Sequence, residues 1–109
     1  MTRLFIIAFT LAFAGSAAAQ DAATIEKGKQ VYAAQKCQAC HSVGGVGNKK
    51  GALDTVGATL KADEIRLWIV AAPEMTAKTK SERKPAMKAY TLPKEDLDAL
   101  VAYLSSLKK

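Results

Sequence analysis

The sequence predicts an all-α domain. Three observations carry this reading: three segments repeat apolar residues at helical spacing, no run alternates apolar and polar residues, and most glycines gather in one stretch. The chain has 109 residues, 50% of them hydrophobic, which bounds it to one small domain and excludes a multidomain machine.

The first helix is expected over residues 24–36. Ile25, Gly28, Val31, Tyr32 and Gln35 recur at helical intervals, with Glu26 near the start and Lys36 near the end, as the helix dipole favours. Gly28 costs such a helix roughly 1 kcal/mol relative to alanine, which marks a close contact at that position. Residues 42–59 shift to Gly44, Gly45, Gly47, Asn48, Lys49, Lys50, Gly51 and Gly57 without any period, and read as a long loop. A second helix is expected over 63–72, where Ile65, Trp68, Ile69 and Ala72 share one face and Pro73 stops it. Residues 74–90 are polar and basic, and Pro85 argues against continuous helix, so they read as loop with at most a helical turn. The last helix has Pro93 in its first turn and Glu95 and Asp96 just after. Leu97, Leu100, Val101, Leu104 and Leu107 form its apolar stripe.

Ahead of these elements, Arg3 precedes the apolar runs 4–9 and 11–14, and Ala17-Ala18-Ala19-Gln20 follows. A positive start, a short apolar centre and small residues at a cut site make residues 1–19 a secretory signal peptide, cleaved after Ala19. The uninterrupted run is too short for a bilayer core of ~30 Å, which takes ~20 apolar residues, so no stable membrane insertion is expected after cleavage. The domain is then 20–109, exported to the periplasm. Cleavage removes Phe5, Phe9 and Phe13, every phenylalanine in the protein. A core built from Tyr32, Trp68, Tyr90, Tyr103 and a modest set of aliphatics is thin for a domain of this size.

Both cysteines and the only histidine lie within Cys37-Gln38-Ala39-Cys40-His41, the spacing of c-type haem attachment. Each thiol can add across one porphyrin vinyl group, two intervening residues let one turn reach both vinyls, and the next residue delivers an imidazole to iron. Three rivals are weaker. A thioredoxin-like redox pair needs a βαβ context, and a structural zinc needs four ligands where no other Cys or His exists. A plain disulfide leaves His41 unused. One covalent haem c per chain would also supply the missing core.

His41 is expected to ligate iron through Nε2 while Nδ1–H donates to a backbone carbonyl, with Gly51-Ala52-Leu53 as the candidate source. For the sixth position the thioethers of Met75 and Met87 lead, and a lysine or no protein ligand stays open. Met75 follows Pro73 at once, where methionine more often fills core. Met87 lies in an irregular segment able to cross to the far haem face, and is favoured.

These features resemble the class I c-type cytochromes over the whole of residues 20–109. The residues that carry the likeness are Gly28 and Tyr32 before Cys37-Gln38-Ala39-Cys40-His41, then Gly51-Ala52-Leu53, Trp68-Ile69, Met87-Lys88-Ala89-Tyr90 and Asp98-Ala99-Leu100-Val101-Ala102-Tyr103-Leu104. The resemblance implies the cytochrome c fold, three main helices with long loops around one covalently attached haem, with the first and last helices crossing where Gly28 faces Tyr103. It implies His41/Met87 axial ligation, from the spacing between Met87 and Tyr103, with Trp68 near the propionates and Tyr90 on the methionine side. Two departures stand out: the loop after the motif lacks the family's common proline, and Pro85 precedes Met87 where relatives often have a proline after it.

The expected function is single-electron transfer by a periplasmic, monomeric, non-enzymatic carrier. With both axial positions filled, no site is open for oxygen or peroxide. A sensor haem with a labile sixth site and a subunit of a larger oxidoreductase are the alternatives. The formal net charge of +6 and the cations Lys36, Lys49, Lys50, Lys78, Lys80, Arg83, Lys84 and Lys88 suit redox partners with an acidic docking surface. Nucleic acid is a poor partner for an exported chain with so few aromatics.

Overall fold

The computed structural model describes residues 17–109. The signal peptide expected over residues 1–19 lies outside these residues except for 17–19, which open the first helix, α1 (Ala17–Ala34). That helix starts earlier than the apolar period indicates, because alanine is the strongest helix former and the alanines at 17–19 and 22–23 carry no apolar period in the sequence. Lys36 ends it in the left-handed region at φ 57°, turning the chain into a short 3-10 turn, Cys37–Ala39.

The stretch read as loop carries its own small elements. Strands β1 (Ser42–Val43) and β2 (Val46–Gly47) pair antiparallel, a 3-10 turn spans Lys49–Gly51, and α2 covers Val56–Thr59. Two-residue strands are too short to leave an alternating pattern, and what forms them is the turn: Gly44 and Gly45 both adopt positive φ.

Helix α3 (Ala62–Val70) begins where the Lys61 N–H donates to Glu64 Oε1 at 3.1 Å, and it buries Ile65 and Ile69. The expected end near Pro73 needs correction. The chain breaks at Ala71, and Pro73 sits in the first turn of a further helix, α4 (Ala72–Thr79). Proline lacks an N–H that the first turn does not need, so it starts a helix as readily as it stops one. Polar Lys78 and Thr79 hid α4 from a reading by apolar period, but Ala72 and Met75 form its buried face. Lys80, at φ 55°, closes the helix with Lys80 N–H donating to Ala77 O and Ser81 N–H to Thr76 O. Residues 81–92 then run without regular structure to α5 (Lys94–Ser105).

The core joins both ends of the chain. Val31 and Tyr32 of α1, Ile65 and Ile69 of α3, and Leu100, Val101, Tyr103 and Leu104 of α5 pack as one cluster. The Tyr32 and Tyr103 rings meet edge to face, with centroids 5.8 Å apart at 76°. Gly28 makes the approach possible, since a Cβ there would run into the Ala99 carbonyl oxygen and come within 2.5 Å of Tyr103 Cβ. Among the described residues, no helix is long and apolar enough to cross a membrane.

At the start of α5, Asp98 accepts from Lys94 Nζ at 2.8 Å and Arg66 Nη2 at 2.7 Å, and the two bonds hold its carboxyl below the usual carboxylate range. A lowered carboxylate contributes stability above its unfolded value of ~4 and loses it as pH falls through the folded value. Asp98→Asn is therefore expected to melt slightly lower than the parent at neutral pH, the gap closing in acid. Melting curves from pH 7 to 2.5 would show it, and a gap that widened in acid would contradict the assignment.

Candidate functional site

The attachment motif is a single tight turn. Cys40 N–H and His41 N–H both donate to the Cys37 carbonyl, at 3.2 and 2.9 Å, which wraps residues 37–41 around one point. Both cysteines are free thiols, Cys37 half-buried and Cys40 exposed. Burial pushes the Cys37 thiol up, and the neighbouring Cys40 adds to the shift against an opposing backbone hydrogen bond.

The loop that follows folds back to hold His41. Asn48 N–H donates to the His41 carbonyl at 3.0 Å, and Gly47, at φ 108°, lies so close to that carbonyl that no side chain fits there. The Asn48 side chain accepts from Lys50 N–H and sets the 3-10 turn that ends at Gly51. The Gly51 carbonyl then accepts from His41 Nδ1 at 3.0 Å. A carbonyl only accepts, so Nδ1 carries the proton and Nε2 keeps the lone pair. Burial lowers the His41 pKa, Arg83 lowers it further, and the Gly51 bond opposes both, leaving a neutral imidazole at pH 7. The acceptor expected in Gly51-Ala52-Leu53 is thus the first of the three, and the missing proline does not remove the bond.

These groups open onto a cavity of about 460 Å³, within the range of small-molecule and cofactor sites. Its walls come from every part of the fold: Tyr32, Cys37, Cys40 and His41 from α1 and the motif, Leu53, Val56 and Leu60 around α2, Trp68 and Ile69 from α3, Met87 and Tyr90 from the irregular segment, and Leu100 and Leu104 from α5. Met87, Trp68 and Tyr90 all line this one cavity. Met75 is buried in α4 and is not among the lining residues. Desolvation raises the Tyr32 pKa to about 12, with smaller contributions from Cys37, Tyr103 and Asp54, so the phenol stays neutral.

Tyr90 anchors the Met87 segment twice. Its N–H donates to the Ile69 carbonyl at 2.8 Å, and Lys88 Nζ lies 5.0 Å from its ring centroid. The sequence reading counts Arg83 only among surface cations. The structure turns it inward, lining the cavity and donating to the Cys40 carbonyl. No local pattern marks it, because the partner lies 43 residues away.

Among the described residues, no three His, Cys, Asp or Glu side chains gather as a bare metal-ion site. Two free thiols in one turn, a neutral imidazole with Nε2 available, and a largely apolar cavity fit a porphyrin bound through its vinyl groups and its iron. Fold and site together define a small all-helical haem protein. The Cytochrome c family model matches residues 25–108, and the chain belongs to the cytochrome c family. Its cofactor is therefore covalently bound haem c with its iron, and it is a haem-binding electron-transfer protein that works with redox partners. No curated protein and no solved structure shows a significant match to the chain.

Proposed function

We propose that the protein is a periplasmic single-electron carrier, with Cys37 and Cys40 as the thioether attachment points and His41 and Met87 as the axial iron ligands. The observation that carries this reading is that both thiols, His41 with Nδ1 already bonded, and Met87 line one apolar cavity. When bound, the haem supplies the ferric/ferrous couple. The polypeptide's work is to hold still. The Gly51 bond fixes the imidazole, Tyr90 fixes the segment carrying Met87, and apolar walls exclude water, so little rearranges when an electron arrives. A thioether ligand raises the potential, and two filled axial positions leave no place for substrate.

Charge supports the choice of partner. Among the described residues, the ion pairs use Lys27, Lys29, Arg66 and Lys94, all on α1, α3 and α5. Lys36, Lys49, Lys50, Lys80, Arg83, Lys84 and Lys88, around the cavity and its loops, make none of these pairs. An unneutralised basic face steers an acidic partner and speeds encounter.

The test is a mass measurement of the exported protein together with a pyridine haemochrome assay. The expected product begins at Gln20, carries one covalent haem and has a low-spin spectrum. Absence of Soret absorption would refute the haem reading, and a high-spin form that takes carbon monoxide readily would indicate a sensor.

A further inference from the structure

Between Ser81 and Tyr90 only Arg83, Met87 and Tyr90 are withdrawn from solvent. Tyr90 is tied to α3 through Ile69. Arg83 is tied at the other end of the segment, to the opposite side of the fold. Its Nη2 donates to the Cys40 carbonyl, part of the peptide group that joins Cys40 to His41. The guanidinium also lies close against Gly51, where a methyl group would collide with Nη1 and sit 2.7 Å from Cζ. Gly51 is the residue whose carbonyl orients the His41 ring. One side chain therefore grips both backbone segments that set His41, and it issues from the irregular segment that carries Met87.

We propose that Arg83 is a positioning residue: a strap that fastens the Met87 segment to the attachment turn and to the Gly51 loop, so that the two sides of the cavity cannot separate independently. An arginine suits the task, because its fork of donors can bond a carbonyl while the rest of the guanidinium packs beside a glycine. No carboxylate pairs with it among the described residues, so its positive charge is left to act on the cavity. A cation there favours the reduced iron. The consequence for ligation rests on Met87 as the sixth ligand, whereas the strap itself does not.

The test compares Arg83→Gln and Arg83→Lys with the parent, each haem-loaded and full-length, by amide hydrogen exchange and by redox titration. Exchange is expected to rise about tenfold or more in both variants, in residues 82–89 and in 48–52 together, while α1 and α5 amides stay unchanged. The potential should fall in Arg83→Gln and stay nearer the parent in Arg83→Lys, which keeps the charge and loses the fork. Unchanged exchange in 82–89 in both variants would overturn the strap, as would loosening of 82–89 without 48–52. Met87→Ala separates the two ideas. A spectrum unaltered by that change would refute the ligand assignment, and the exchange result on Arg83 would stand or fall by itself.

Discussion

Met87→Ala is expected to open the sixth coordination position of the haem-loaded protein. Alanine offers no donor, Ala86 offers none either, and the Lys88 amine sits over the Tyr90 ring, 5.0 Å from its centroid, so the ferric form should turn high-spin and the ferrous form should take up carbon monoxide. Losing the thioether should lower the reduction potential by a sizeable share of the ~0.8 V over which axial ligands set haem potentials. Met75→Ala provides the contrast. Met75 is buried in α4, away from the cavity lining, so its truncation should cost about 2–5 kcal/mol of stability while spectrum and potential stay put. Redox titration with carbon monoxide binding on both variants decides the matter. The reverse pattern would move the role to Met75.

The second large effect concerns folding. Gly28→Ala should destabilise the protein by about 2 kcal/mol or more, although alanine is the better helix former by about 1 kcal/mol. The new methyl would strike the Ala99 carbonyl oxygen, with the Ala99 carbonyl carbon at 2.9 Å, and these are backbone atoms with no rotamer to escape into. α1 and α5 would have to part, disturbing the Tyr32–Tyr103 contact and, through Leu100 and Leu104, the cavity wall. For a domain of this length the melting temperature should drop by roughly 10 °C. Gly45→Ala gives a different contrast: nothing lies within 4 Å of its Cβ position, so any loss there reports the positive φ of 79° and not crowding. A Gly28→Ala protein as stable as its parent would mean that the helices do not cross so closely.

What could be read from the residues alone follows from how each signal is encoded. The long helices, the Gly28 contact, the attachment turn and the Gly51 acceptor all rest on local pattern or on chemistry fixed by spacing. α4 escaped because Pro73 carries opposite meanings at the two ends of a helix, and the apolar face after it is only Ala72 and Met75. The hairpin at 42–47 escaped because its strands have two residues each. Arg83 could not be recognised at all: its contact is with a carbonyl 43 positions earlier, and Lys80 and Lys84 nearby make it look like one more surface cation.

The pairing of α1 with α5 also closes the site. The Cys37 and Cys40 thiols follow α1, whereas Leu100 and Leu104, which complete the cavity wall, come from α5 at the other end of the fold's sequence. Until α5 docks on α1, the site is a trough with one side missing. The helix that closes the core is thus also the one that completes the cavity, so whatever loosens α5 from α1 opens the site as well.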